Sequence, residues 1–180
     1  YTGFYYGKAK STNYFTHSEY IQMLGLQNGN RVYKWVRRAY ITGHESLDKH
    51  KAFISAANGA SGTLTSDGAV RMISTPLTGA PGVGATQTFL TVGSFDTEGE
   101  AAAALKYIRS KFARALLGVL KVTQHNTSEK WKYVPLQNFT PTSDIDWEKS
   151  IPEIDRQLYK KYGLDETEIA FIESHVKEME

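Results

Sequence analysis

One stretch, Thr86 to Lys132, constrains the fold more than any other part of the chain. It opens with a β-rich apolar run, Thr88-Phe89-Leu90-Thr91-Val92-Gly93-Ser94-Phe95, whose branched and aromatic residues suit a strand. Asp96-Thr97-Glu98-Gly99-Glu100 follows. Asp96 or Thr97 can cap a helix here, and Glu100, three residues after Thr97, completes a capping box. Leu105, Ile108, Phe112, Leu116 and Val119 then recur at spacings of three and four. That pattern predicts one long helix over 97–121 whose apolar stripe is core and packs on a sheet. Glu98 and Glu100 in the first turn, and Arg114 and Lys121 towards the end, suit the helix dipole. Lys106 and Arg109 flank the stripe, with Lys111 and Arg114 on the far side.

Upstream, residues 1–30 interleave Tyr1, Phe4, Tyr5, Tyr6, Tyr14, Phe15 and Tyr20 with Lys8, Lys10 and small polar residues. Such aromatics either stack on bases or pack the edge of a small core. Gln27-Asn28-Gly29-Asn30 is a turn signal. Residues 31–42 then read as a strand, with Val32, Lys34 and Val36 on one face and Tyr33, Trp35 and Arg37 on the other. A second strand is expected from Lys49 to Ile54. Pairing of these two strands would gather Arg31, Lys34, Arg37, Arg38, Lys49 and Lys51 into one basic patch.

Ala57-Asn58-Gly59-Ala60-Ser61-Gly62 and Thr78–Thr86 are small-residue loops, with a strand expected over Ala69 to Ser74 between them. The second loop is not a phosphate cradle. Gly79, Gly82 and Gly84 precede a strand rather than open a helix, and no Gly-Lys-Ser/Thr follows. After the long helix come a loop at 124–129, an extended segment around Trp131 and a linker at 139–143. Helical register returns from Ser143, where Ser143 and Asp144 offer caps. Ile151, Ile154, Leu158 and Tyr162 share a face, and Gly163 is the stop. A final helix starts at Asp165-Glu166-Thr167-Glu168, with Ile169, Ile172 and Val176 on one face. These two helices form an amphipathic pair that folds back on the body or on a partner.

Charge divides the chain. Residues 1–143 carry sixteen basic and eight acidic residues, whereas residues 144–180 carry five basic and eleven acidic ones. A basic body suits a polyanion such as nucleic acid, although lysine and arginine also simply solubilise surfaces. The chain opens at Tyr1 in mid-pattern and reads as a piece of a longer polypeptide. With no cysteine there is no disulfide, thiolate metal site or cysteine nucleophile, and a reducing, cytoplasmic setting is expected. No apolar run approaches the roughly 20 residues that a membrane span requires.

Catalytic patterns are missing. The five histidines, at 17, 44, 50, 125 and 175, form no His-x-x-x-His pair and have no acidic neighbour at ligand spacing, so no metal site is expected. There is no Gly-x-Ser-x-Gly elbow. No two prolines are adjacent, which excludes the Asp/Asn-Pro-Pro-Tyr/Phe loop of amino-group DNA methyltransferases. Asp144, Asp146, Glu148 and Lys149 lack the spacing of a nuclease acid pair with Glu-x-Lys.

The phrases Val92–Thr97, Leu105–Arg114, Leu120–Gln124, Trp131–Pro135, Ser143–Trp147 and Ile154–Leu164 occur in fixed order. Together they resemble the C-terminal region of bacterial restriction–modification proteins: adenine-specific DNA methyltransferases and fused type II restriction–methylation enzymes. The resemblance covers about residues 40–180. It implies a target recognition domain that docks on double-stranded DNA, with catalysis elsewhere. It also implies S-adenosylmethionine and Mg²⁺ as cofactors of the parent, and a methyltransferase or nuclease domain as a partner. It carries over a role but no particular base-reading residue.

The expected fold is α+β: a twisted, largely antiparallel sheet packed on one long helix (1–142), then an acidic helical pair (143–180). On the DNA reading, Lys34, Arg37, Arg38, Lys49, Lys51 and Arg71 contact phosphates or a groove. Asn58 and Gln87 are candidate base readers, and the glycine loops enter the groove. Trp35 and Trp131 are expected as core anchors. Two other readings are a protein-interaction module that docks through the acidic helices, and a nuclease domain without a recognisable motif.

Overall fold

The computed structural model describes residues 19–42, 45–57, 69–120 and 128–179. The fold is α+β, with two three-stranded sheets and four α-helices among these residues. The first sheet holds β1 (Tyr20–Gln27), β2 (Asn30–Arg37) and β5 (Val83–Ala85), in the order β2-β1-β5. The second holds β3 (His50–Ser55), β4 (Leu77–Gly79) and β6 (Phe89–Phe95), in the order β4-β3-β6. Every pairing is antiparallel except β1 with β5.

The single sheet expected from the sequence is therefore two, and the strand at 31–42 does not pair with the strand at 49–54. Its partner is β1, which the sequence reading left inside an unassigned aromatic segment. Asn28 and Gly29 both have positive φ, 52° and 78°, the signature of a type I′ turn whose twist matches a two-residue hairpin. The turn sets Gln27 opposite Asn30 and commits β2 to β1. The strand ends at Arg37, and Arg38–Tyr40 tightens into a 3₁₀ turn. Val70 makes only an isolated bridge to Val176, so Ala69–Ser74 is not a strand. Its backbone bonds go to the end of the last helix, Val70 N–H to His175 O and Lys177 N–H to Val70 O.

Three apolar layers connect the elements. Leu24, Phe53 and Phe89 join the two sheets. Ala52 and Ile54, on the opposite face of β3 from Phe53, meet Ile108 and Leu117. β3 is thus covered on both sides, which explains why Ala52, Phe53 and Ile54 stand in succession without alternation. The loop at 78–86 is not a free groove-entering segment either, because it contributes β4 and β5 to the two sheets. A Cβ on Gly79 would lie 2.3 Å from the Phe53 ring, so only glycine lets β4 approach β3.

The helix predicted over 97–121 is two: α1 (Glu98–Arg109) and α2 (Lys111–Leu120). The capping box is as the sequence indicates, with Thr97 Oγ1 accepting from Glu100 N–H and Glu100 returning to Thr97 N–H. The break is at Ser110, whose φ and ψ of −58° and 147° leave the helical region. Its hydroxyl donates to Tyr107 O and accepts from Ala113 N–H. Arg114 is not on a solvent face but buried. Its Nε donates to Arg109 O and Ser110 O, and its Nη1 to Lys177 O. The far end of the apolar stripe is also not core, since Val119 is 73% exposed.

The next helix, α3 (Ile151–Tyr162), starts eight residues later than Ser143. Residues 143–150 instead form turns that bury Trp147, whose indole N–H donates to Asn138 O and Ser143 Oγ. Glu153 accepts from Ser150 N–H and hydroxyl at the true start, Pro152 occupies the first turn, and Gly163 ends the helix with φ 67°. α4 (Glu166–His175) has its own capping box between Asp165 and Glu168. Ile154, Leu158, Ile172 and Val176 join Tyr107, Phe112 and Trp147 in one core, so the acidic helices pack on α1 and α2.

Asp155 of α3 locks this arrangement. Its carboxylate is buried and accepts from the N–H groups of Lys111 (3.0 Å) and Phe112 (2.9 Å), the orphan donors that open α2. Burial pushes its pKa up to about 6, against those two hydrogen bonds, which pull the other way. A carboxyl whose folded pKa is raised stabilises the fold fully below the ordinary carboxylate range and loses that contribution as pH rises through 6. Wild type should accordingly lose up to about 3 kcal/mol relative to Asp155→Asn between pH 4 and pH 6.5 in urea unfolding. Asp155→Ala, which leaves both N–H groups unpaired, should cost about 2–4 kcal/mol near pH 4, and less above pH 6, where wild type has lost its protonation-linked contribution.

Candidate nucleic-acid interface

The β1–β2 hairpin carries the most distinctive surface. β5 pairs with β1 only at Gln22–Leu24, so beyond that point the described chain continues as a two-stranded ribbon. β2 is the edge strand, and its residues alternate in exposure: Arg31, Tyr33, Trp35 and Arg37 are exposed, while Val32, Lys34 and Val36 are half-buried. Tyr33 is 47% exposed and Trp35 41%. Trp35 is therefore not the expected core anchor. It shares a face of the sheet with Leu24, which packs on Phe89 of the other sheet, but it lies on the edge strand.

The ribbon tip is rich in amides. Gln27, Asn30 and Arg31 are exposed around the Asn28-Gly29 turn. Gln87 is exposed in the turn after β5, and β5 runs parallel to β1, which brings Gln87 to the same end of the sheet as the tip. Thr86 N–H donates to Leu24 O, fixing that turn on the ribbon. Arg31 is preorganised, with Nη2 donating to Thr75 O at 2.6 Å and its guanidinium 5.9 Å from the centre of the Phe89 ring. At the ribbon's root a cleft of about 700 Å³ is lined by Glu19, Tyr20, Arg37, Arg38, Ile41 and Leu47. Arg37 Nε donates to the Tyr20 hydroxyl at 3.3 Å, which raises its pKa further.

The candidate cations named from the sequence separate into groups. Arg37 and Arg38 are brought together at the root cleft. Arg38 binds Asp48 with two hydrogen bonds, 2.9 and 2.5 Å, in an exposed bidentate pair. Lys49 pairs with Asp96 at the start of α1, also in solvent. Such exposed pairs are weak, and a phosphate can replace the carboxylate at little cost. Lys34 lies on the opposite face of β2 from Arg37. Arg71 is exposed on the segment bridged to the end of α4. Asn58 lies outside the described residues.

Lys51 leaves the set altogether. It is 1% exposed, on the Phe53 face of β3, and its ammonium donates to Leu47 O and Val83 O. Burial pushes its pKa down to about 8. It ties β3 to β5 and cannot reach a phosphate. The residues that the sequence reading missed are Gln27, Asn28 and Asn30, seen only as a turn, and the exposed aromatics Tyr33 and Trp35. The strict alternation from Arg31 to Arg37 was the signal that could have found the latter. Trp131 does pack against the layer between β3 and α1, although not as an extended segment: Ser128–Tyr133 is a 3₁₀ turn.

Among the described residues no three His, Cys, Asp or Glu side chains converge to hold a metal ion, and no helix is long and apolar enough to cross a membrane. Lysine acylation with acetic anhydride followed by mass mapping should label Lys49 and spare Lys51 in the folded chain, both reacting after denaturation. Early labelling of Lys51 would place it at the surface.

No family model, no curated protein and no solved structure matches the chain.

Proposed function

We propose that the chain is a sequence-specific DNA recognition domain, a target recognition module of a bacterial restriction–modification methyltransferase or endonuclease whose catalytic domain lies outside it. The observation that carries this reading is the β1–β2 ribbon, with amides at its tip, arginines along its exposed face and an arginine pair at its root. An antiparallel two-stranded ribbon fits the major groove of B-DNA. In this reading Arg37, Arg38 and Lys49 meet phosphates and set the register. Arg31, with its guanidinium already oriented, suits the O6 and N7 of guanine, while Gln27, Asn30 and Gln87 suit adenine. Tyr33 and Trp35 present flat apolar surface beside the arginines, where they contact sugar or thymine methyl groups. The resemblance over residues 40–180 supports the same role and supplies the setting: a cytoplasmic enzyme whose methyltransferase or nuclease part uses S-adenosylmethionine or Mg²⁺.

Binding of the chain to random duplex DNA across a salt series tests this. Log K should fall with log salt at a slope of about −3, and Arg37→Glu with Arg38→Glu should reduce the slope by about 2. Gln27→Ala or Asn30→Ala should leave that slope unchanged but relax the sequence preference found by selection from a random pool, each altered position costing about 1–3 kcal/mol of discrimination. No binding at low salt would overturn autonomous DNA recognition.

A further inference from the structure

One face of the ribbon carries more apolar surface than the core uses. Residues paired across an antiparallel hairpin share a face, so Leu26, Leu24, Gln22 and Tyr20 of β1 lie beside Arg31, Tyr33, Trp35 and Arg37 of β2. Of these eight, Leu24 alone is buried, against Phe53 and Phe89 of the second sheet. Leu26, Tyr33 and Trp35 stay exposed around it, three large apolar side chains on one small surface. Arginines bracket the two rings in the order Arg31, Tyr33, Trp35, Arg37, at steps of roughly 7 Å along the strand. Arg31 is held over Phe89, and Arg37 leads into the root cleft that Arg38 and Tyr20 also line.

We infer that this face is a stacking platform for an unpaired DNA strand, with bases laid on Tyr33 and Trp35 and phosphates held by Arg31, Arg37 and Arg38. Each part of a nucleotide has a counterpart here, a flat ring for the base and a guanidinium for the phosphate, and that combination selects the occupant. A paired base has both faces covered by its neighbours in the duplex and offers only its edge. A half-exposed ring is better matched by a base that has left the stack. An apolar peptide would cover the rings but leave the bracketing arginines without partners of opposite charge. The role rests on the DNA reading of the ribbon and adds a single strand, of the kind freed where a duplex opens, to the duplex on which the domain docks.

The test titrates the whole chain at low salt with a 12-nucleotide oligothymidine, an abasic strand of the same length and charge, and a 12-base-pair duplex, reading tryptophan fluorescence and Kd. The oligothymidine should quench wild type and bind about tenfold more tightly than the abasic strand. Trp35→Phe should abolish the quenching and keep the affinity within about threefold, because a phenyl ring still stacks. Trp35→Ala and Tyr33→Ala should each weaken the oligothymidine about tenfold and the duplex less than about twofold, with unchanged melting temperatures. Equal binding of the abasic strand, or indifference to both alanine variants, would overturn the platform and leave a purely electrostatic contact. Quenching by phosphatidylserine vesicles and not by oligothymidine, or tenfold tighter binding of oligouridine RNA, would overturn it in favour of another occupant. Duplex binding without oligothymidine binding would sink the platform alone, whereas failure of both would sink the DNA reading with it.

Discussion

The buried Asp155 carboxylate is the interaction on which the helical half of the molecule depends. The helical stretch is broken at Ser110 into α1 and α2. Breaking a helix exposes N–H groups that must be satisfied, and Asp155, arriving from α3, accepts two of them. The same junction holds the Arg114 guanidinium, which bonds the carbonyls left by the end of α1 and reaches the C-terminal segment at Lys177. The kink, the acidic helices and the chain end are thus one polar knot inside one apolar core. Removing a member leaves buried groups unpaired, which costs more than the bond itself contributes.

That knot explains how a chain with such unequal charge stays together. The acidic C-terminal part does not stand apart from the basic body. Lys111 pairs with Glu173 at 2.5 Å, and Lys106 donates to the carbonyls of Trp147 and Lys149. Several lysines and arginines of the body are consumed in this internal work, Arg114 and Lys51 among them. The positive charge left for a partner is smaller than the sequence count: among the described residues of the body, Arg31, Arg37 and Lys49 are exposed and Arg38 half-exposed at the hairpin and its root, and Arg71 and Lys132 are exposed elsewhere. On our reading the hairpin surface meets DNA.

The sequence revealed features governed by local rules and missed those set by distant neighbours. The Thr97–Glu100 capping box, the turn at Asn28-Gly29 and the stop at Gly163 each follow from a few adjacent residues. β6 was legible as a β-rich apolar run and β3 as a short strand. The break at Ser110 was invisible because helical spacing continues across it; beside Ser110's own hydroxyl, the acceptor for the N–H groups it exposes is Asp155, more than forty positions away. β1 was missed because Tyr20–Gln27 does not alternate: as the central strand between β2 and β5 it buries Ile21 on one face and Leu24 on the other. Lys51 and Arg114 look like surface cations in any window of sequence, since the carbonyls that hold them come from other segments. Trp35 misled in the opposite direction: a large aromatic in a strand reads as core, yet an edge strand leaves it half in solvent.

The central claim is that the β1–β2 ribbon is the DNA-contacting face. Hydrogen exchange of the chain with and without duplex DNA at low salt tests it most directly. Protection should appear in residues 25–37 and at the turn containing Gln87, with α4 unchanged. Protection confined to α2 and α4, or none anywhere while DNA is bound, would contradict the account.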